Sequence, residues 1–224
     1  FCLSRSKNER LIEKAKDHQC QLEYFEYDLN DISGIDEIME TIFHHMTFSK
    51  ADRICLINNA GMLDPVKPVG KGQSERIIVN INVNAIAPML LTSQFITHTE
   101  NLSCQKTVIN ISSGAGSKPF FGWSCYCSAK AAMDMFTRCA GLEQQNHENP
   151  VRVISFSPGI IDTDMQAQIR NSSQEDFIQV ENFKKYKQDG ALREASLVAM
   201  KVIETVNSPD IENGSMVNIR DLFQ

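Results

Sequence analysis

The 224-residue chain has no continuous apolar run that approaches the ~20 residues needed to cross a bilayer, so no membrane partner is expected. It has no excess of cations either. Lys and Arg number 22 against 28 Asp and Glu, a formal net charge of −6, which argues against a general nucleic-acid or anionic-membrane surface. Internal repeats, low-complexity tracts and linkers are missing, so one domain over 1–224 is expected. Metal-site spacing is missing too. Cys125 and Cys127 lie two apart, which on a helix points them in different directions, and no metal is expected. The seven cysteines are odd in number and scattered through apolar segments, the pattern of reduced thiols in a cytoplasmic protein. The five histidines are scattered as well, and adjacent His44 and His45 cannot share a helical face.

What the chain does have is a regular alternation of elements. Residues 11–16 read as helix, 21–27 as a strand ending at Asp28, and 35–46 as helix. Residues 53–57 read as a buried strand that stops at the turn Asn58-Asn59-Ala60-Gly61. Residues 74–98 read as one long helix, 107–111 as a strand, 124–145 as helix, and 151–156 as a strand closed by Ser157-Pro158-Gly159. Residues 162–189 are polar and irregular, followed by a helix over 191–206 and a strand over 215–219. The strands are continuous apolar runs, which predicts a parallel sheet covered by helices on both faces. With right-handed crossovers this is a doubly wound α/β sheet of Rossmann type, three layers deep. Ligands of such sheets bind outside the carboxyl ends of the strands. Arg5, Asp28, residues 58–61, Ser112, Ser113, Pro158 and Gly159 all fall there.

One stretch carries chemistry. Tyr126 and Lys130 are four apart on a predicted helix and share a face. A free tyrosine is a poor acid at neutral pH, and a nearby ammonium is expected to lower its pKa. Tyr126 then becomes a proton donor to a carbonyl, with Ser113, from a different strand end, hydrogen-bonding the same oxygen. This set suits proton-coupled hydride transfer better than hydrolysis, because no histidine is close in sequence to either hydroxyl.

Four segments now stand in a familiar order: Asn58 to Gly61 after a strand, Asn110-Ile111-Ser112-Ser113 at a strand end, Tyr126-Cys127-Ser128-Ala129-Lys130, and Ser157-Pro158-Gly159. Together they make the chain resemble a short-chain dehydrogenase/reductase over essentially its whole length. Pro119-Phe120-Phe121-Gly122-Trp123, and residues 158–166 with Asp162-Thr163-Asp164-Met165-Gln166, resemble the group of sepiapterin reductases and bacterial (S)-benzoin-forming benzil reductases. The resemblance implies an NADP(H)-dependent oxidoreductase with catalytic Ser113, Tyr126, Lys130 and Asn84, the last preferred over its neighbour Asn82. It implies cofactor contacts from Arg5, Asp28, Asn59, Ala60, Gly61, Tyr126, Lys130, Pro158, Gly159, Ile161 and Thr163. A cation at Arg5, after the family's second strand, suits a 2′-phosphate, whereas a carboxylate would bind a bare ribose diol. The family also implies a homodimer or homotetramer.

The chain departs from the family in one respect. The glycine-rich turn that holds a pyrophosphate at a helix N-terminus is missing, and the expectation is that it precedes Phe1 in the complete protein. The expected partner is a small-molecule carbonyl substrate, with Ser113, Trp123, Gly159, Met165 and Asn218 around it and residues 162–190 as a lid. Phe120 and Phe156 are open between pocket wall and core. Asn218 stands where the sepiapterin reductases resembled here carry an aspartate, which weakens a pterin and favours a dicarbonyl. The basic run Lys184-Lys185-Tyr186-Lys187 reads as a solvated helix face, with RNA binding as the other possibility. A non-catalytic dinucleotide-binding protein on the same fold is the rival reading, and the chain is too short for a sugar-nucleotide epimerase.

Overall fold

The computed structural model describes residues 1–49 and 51–223. Its main sheet is wholly parallel, in the order β3 (Arg53–Asn58), β4 (Gln105–Ile111), β5 (Val151–Ser157), β6 (Met216–Asn218). Asn58 stands opposite Asn110, Asn110 opposite Ser155, and Ser157 opposite Asn218. The carboxyl ends of the strands are therefore level, and the segments that leave them share one edge.

Side-chain alternation along the strands divides the core in two. Val108, Val151 and Val153 pack with α2 (Ile35–His45) and α4 (Ala87–Thr99). Ile109, Ile154 and Phe156 face the other way, onto α8 (Ala195–Asn207). Both faces of β4 and β5 are buried, which explains their continuous apolar sequence and gives the three layers. Each such side chain contributes about 1.5–3 kcal/mol by leaving water. Phe156 is 0 % exposed within the α8 cluster, so it is core and not pocket wall.

The first two strands behave differently. β1 (Cys2–Ser4) and β2 (Tyr24–Glu26) pair with each other in parallel and with nothing else. The sequence pattern predicts one sheet; among the described residues no strand joins the two. A strand needs a hydrogen-bonding neighbour about 4.7–4.9 Å away, and no described segment supplies one to the free edges of β1 and β3. Ile57 of β3 is 41 % exposed as a result. Leu3, Phe25 and Tyr27 nevertheless pack against the α2–α4 cluster. The helix between them, α1 (Glu9–Asp17), buries none of its residues.

The predicted long helix is one run with an irregularity. It consists of α3 (Ser74–Ile81), a π-helical turn (Asn82–Ile86) and α4. Although it holds no continuous apolar run, the 26-residue helix Ser74–Thr99 is long and apolar enough, by length and composition, to cross a membrane. Their environment is that of a core helix. Asn80, Asn84 and Thr92 are 0 % exposed, and all three hydrogen-bond to the loop or strand beneath them.

Residues 162–190 hold two short helices, α6 (Asp164–Arg170) and α7 (Val180–Gln188). Ile169, Phe177, Val180 and Phe183 from this segment are buried against Leu63, Trp123 and Tyr126. The basic run lies on α7, where Lys184 pairs with Glu181 and Lys187 with Asp162 at the surface.

Candidate active site

The site is built where β4 ends and α5 (Ser124–Gln144) begins. Ser113 leaves β4 in extended conformation and caps a short 3-10 turn, Gly114–Gly116, its Oγ accepting from the Ala115 N–H at 3.2 Å. On α5, Tyr126, Lys130 and Asp134 succeed one another at four-residue spacing, and all three are buried. The spacing puts them on one face of the helix, and burial of that face turns it toward the sheet.

Lys130 is the pivot. Its Nζ donates to the Ile111 carbonyl at 2.8 Å and lies 5.6 Å from the centre of the Tyr126 ring. Burial pulls the ammonium down to about 8, and the charge of Asp134 opposes that pull. Tyr126 moves the other way. Burial pushes its phenol up, the hydrogen bond from Ser113 pulls it down, and Cys127 adds a small push upward. The sequence reading expected Lys130 to lower the tyrosine; the structure corrects this. Desolvation of the phenolate outweighs the rest, and the group that favours it is Ser113.

Asn84 sits in the π turn with both ends of its amide engaged. Oδ1 accepts from the Met62 N–H at 3.0 Å, and Nδ2 donates to the Met62 carbonyl at 2.7 Å. The π turn carries one extra residue in the helix and aims this amide at the loop that follows β3. Asn80, one turn earlier, donates to the carbonyls of Met62, Leu63 and Asp64. Gly61 closes the group: a Cβ there would stand 3.1 Å from Asn84 Oδ1 and 3.7 Å from Lys130 Nζ. A side chain there would crowd the Asn84 amide. Asn82 points elsewhere, to Asn30 in the loop after β2.

The residues expected around a cofactor lie beyond the carboxyl ends of strands of both sheets. Asn59, Ala60 and Gly61 are exposed beyond β3. Arg5 is exposed beyond β1, and Asp28 is exposed beyond β2, with its Oδ1 accepting from the Asn30 N–H. After β5, Pro158 is buried and Gly159 is exposed at φ +74°. Ile161 forms a parallel bridge with Arg193, and Thr163 precedes α6. These strand ends offer backbone N–H groups and the exposed guanidinium of Arg5 to an anionic, ribose-bearing group, and that donor set fits a dinucleotide.

The substrate-side residues divide. Trp123 is buried, stacked on Phe177 at 4.6 Å and edge-on to Tyr126 at 5.9 Å. Phe120 and Met165 pack on the same cluster. Asn218 ends β6, its Oδ1 accepting from the Arg220 N–H, and it lines a cavity of about 110 Å³ together with Ser112, Ser113, Asp134 and Ser155. A larger cavity, about 700 Å³, opens between residues 64–76 and α6, edged by Lys67, Lys71, Arg76 and Asn171. It touches neither Ser113 nor Tyr126.

Sequence reasoning passed over the polar network beneath the site. Asn58 Nδ2 donates to Thr92 Oγ1 and to Asn110 Oδ1, and Asn110 Nδ2 donates to Thr137 Oγ1. These bonds tie β3, β4, α4 and α5 together directly behind the reacting groups. Asparagines at the ends of two adjacent apolar runs were the available signal.

With this geometry in view, comparison with known proteins agrees. The model of the short chain dehydrogenase family matches residues 1–174. The chain is 38% identical over 217 residues to a benzil reductase ((S)-benzoin forming) of Bacillus cereus, covering 97% of this chain and 87% of that protein. It is 29% identical over 237 residues to the sepiapterin reductase of Rattus norvegicus, covering 98% and 86%. Among solved structures, the KRED1-Pglu enzyme superposes with a TM-score of 0.79 at 25% identity, covering 96% of this chain and 87% of that one.

Proposed function

This chain belongs to the short-chain dehydrogenase family of oxidoreductases, and on that premise we propose that it is an NADPH-dependent carbonyl reductase acting on a ketone or vicinal dicarbonyl. The observation that carries the reading is the convergence of Ser113, Tyr126, Lys130 and Asn84 on one buried corner of the sheet edge. When bound, the reduced nicotinamide supplies the hydride to the carbonyl carbon. The chain supplies the proton. Tyr126 donates its phenolic hydrogen to the carbonyl oxygen, Ser113 holds that oxygen, and the ammonium of Lys130 offsets the charge left on the phenolate. Burial keeps Tyr126 protonated well above neutral pH, the state a donor requires.

Arg5 would take the 2′-phosphate, Asp28 and residues 59–61 the adenosine, and Lys130 with residues 158–163 the nicotinamide half. Residues 162–190 act as a lid, anchored at Trp123 by Phe177 and Phe183. Trp123, Met165 and Gly159 border the substrate, and two subunits or four pair as is common in the family. A dicarbonyl is favoured over a pterin, because Asn218 carries no charge and its Oδ1 already serves the Arg220 N–H.

The test is the disappearance of reduced nicotinamide when the full-length protein is offered benzil and sepiapterin side by side. Turnover of benzil, lost in a folded Tyr126→Phe variant, is expected. No turnover of either compound, nor of a panel of aromatic ketones, would sink the reading.

A further inference from the structure

We propose that Asp134 is a positioning residue of the same site, the buried counter-charge that keeps the Lys130 side chain an ammonium next to Tyr126. The inference rests on the reading of Lys130 given above. Asp134 follows Lys130 by one helical turn, as Lys130 follows Tyr126, so the three share a face of α5. It is 6 % exposed. Aspartate is almost never buried without a partner of opposite charge, yet among the described residues Asp134 makes no ion pair within 4 Å. Arg138, one turn further on, is exposed at the surface.

The carboxylate is held in place and not merely tolerated. Its Oδ1 accepts from Ser155 Oγ of β5 at 2.6 Å. Its Oδ2 lies against the backbone of Gly116, where a Cβ would collide with it. It also borders the 110 Å³ cavity lined by Ser113 and by Ser112, whose buried hydroxyl has no partner. Strand, turn and helix thus fix one negative charge inside the protein, where charge acts over longer distances than in water.

Lys130 has little else to sustain its charge. Its own helix presents Tyr126 and Asp134 to it. β4 presents only the Ile111 carbonyl, the π turn the neutral amide of Asn84, and the loop after β3 only Gly61. Burial works against the ammonium, and among the described residues the charge of Asp134 works for it.

The test is Asp134→Asn, which keeps the shape and can still accept from Ser155 but removes the charge. With Asp134 intact, carbonyl reduction should decline as pH rises through about 8, where Lys130 loses its proton. In Asp134→Asn that decline should move roughly one pH unit lower, and Asp134→Glu should bring it back. A second readout needs no substrate: unfolding free energy against pH, measured in both Lys130 and Lys130→Met backgrounds. The Lys130-dependent rise in stability with pH should begin roughly one unit lower when Asp134 is neutral. If the protein reduces no carbonyl, this second readout still decides the matter. If Asp134→Asn does not fold, Asp134→Ser serves in its place. An unmoved decline and an unmoved rise in a folded, uncharged variant would overturn the proposal and leave Asp134 a structural residue.

Discussion

The two ends of the parallel array are built on different terms. Around β4, β5 and α5 several polar side chains are buried and held: Asn84 by both backbone groups of Met62, Lys130 by the Ile111 carbonyl, Asn58 and Asn110 by each other. Around β1 and β2 the candidate cofactor residues Arg5 and Asp28 are exposed, on a two-stranded sheet with free edges and beside a helix that buries nothing. The candidate reacting groups are thus fixed in advance by packing, whereas the proposed adenosine contacts Arg5 and Asp28 stand at the surface. Substitutions in the first region should change turnover and stability. Those in the second should change affinity.

The largest effect expected is that of Tyr126→Phe, which deletes one oxygen. Carbonyl reduction should fall ~10²–10⁴-fold while the melting temperature stays close to that of the parent, as measured by initial rates and calorimetry. Next comes Phe156→Ala at the centre of the sheet, which should cost about 3–5 kcal/mol in denaturant unfolding. Phe25→Ala in half-buried β2 should cost clearly less, and equal losses would erase the distinction between the two ends.

A third test uses Lys130, whose pKa falls from 10.5 to about 8 in the fold. Below pH 8 folded and unfolded chains both carry the proton, and the full penalty of burying the ammonium applies. Between about 8 and 10.5 the folded chain has released a proton that the unfolded chain keeps, so this residue makes stability rise with pH. Activity, which on the proposed reading needs the ammonium, should fall as pH rises through about 8, where that rise begins. Rate and stability profiles that rise together would contradict this assignment. The smallest effect should be that of Arg5→Ala. KM for NADPH should rise roughly tenfold, with KM for NADH, kcat and melting temperature almost unchanged.

Much of the site was legible in the sequence because its signals are local. The four-residue step from Tyr126 to Lys130 needs only a helix, and Ser113 and Gly61 need only strands that stop. What escaped is tertiary. Residues 74–98 look uniformly helical, and nothing in their pattern announces the π turn that aims Asn84 at Met62. Periodicity cannot tell core from pocket wall, so Phe156 was undecided until its face of β5 was known. The upward shift of Tyr126 follows from burial by Trp123 and its neighbours, which come together from distant parts of the chain. Asp134 stands at a visible helical interval from Lys130, but its contact with Ser155 depends on how α5 lies across β5. The separation of the β1–β2 pair is a matter of strand neighbours, which a one-dimensional pattern does not specify.

The stacking of Trp123 on Phe177 has a practical consequence. The chain contains a single tryptophan, and its ring is pressed against the segment expected to cover the substrate and edge-on to the tyrosine expected to donate the proton. Its fluorescence therefore comes from one known place. Lifting of residues 162–190 would bring water to the indole and shift its emission to the red, while closure over a ligand would hold it blue. If residues 162–190 move as proposed, this tryptophan is an optical gauge of that motion, readable in stopped flow without any label.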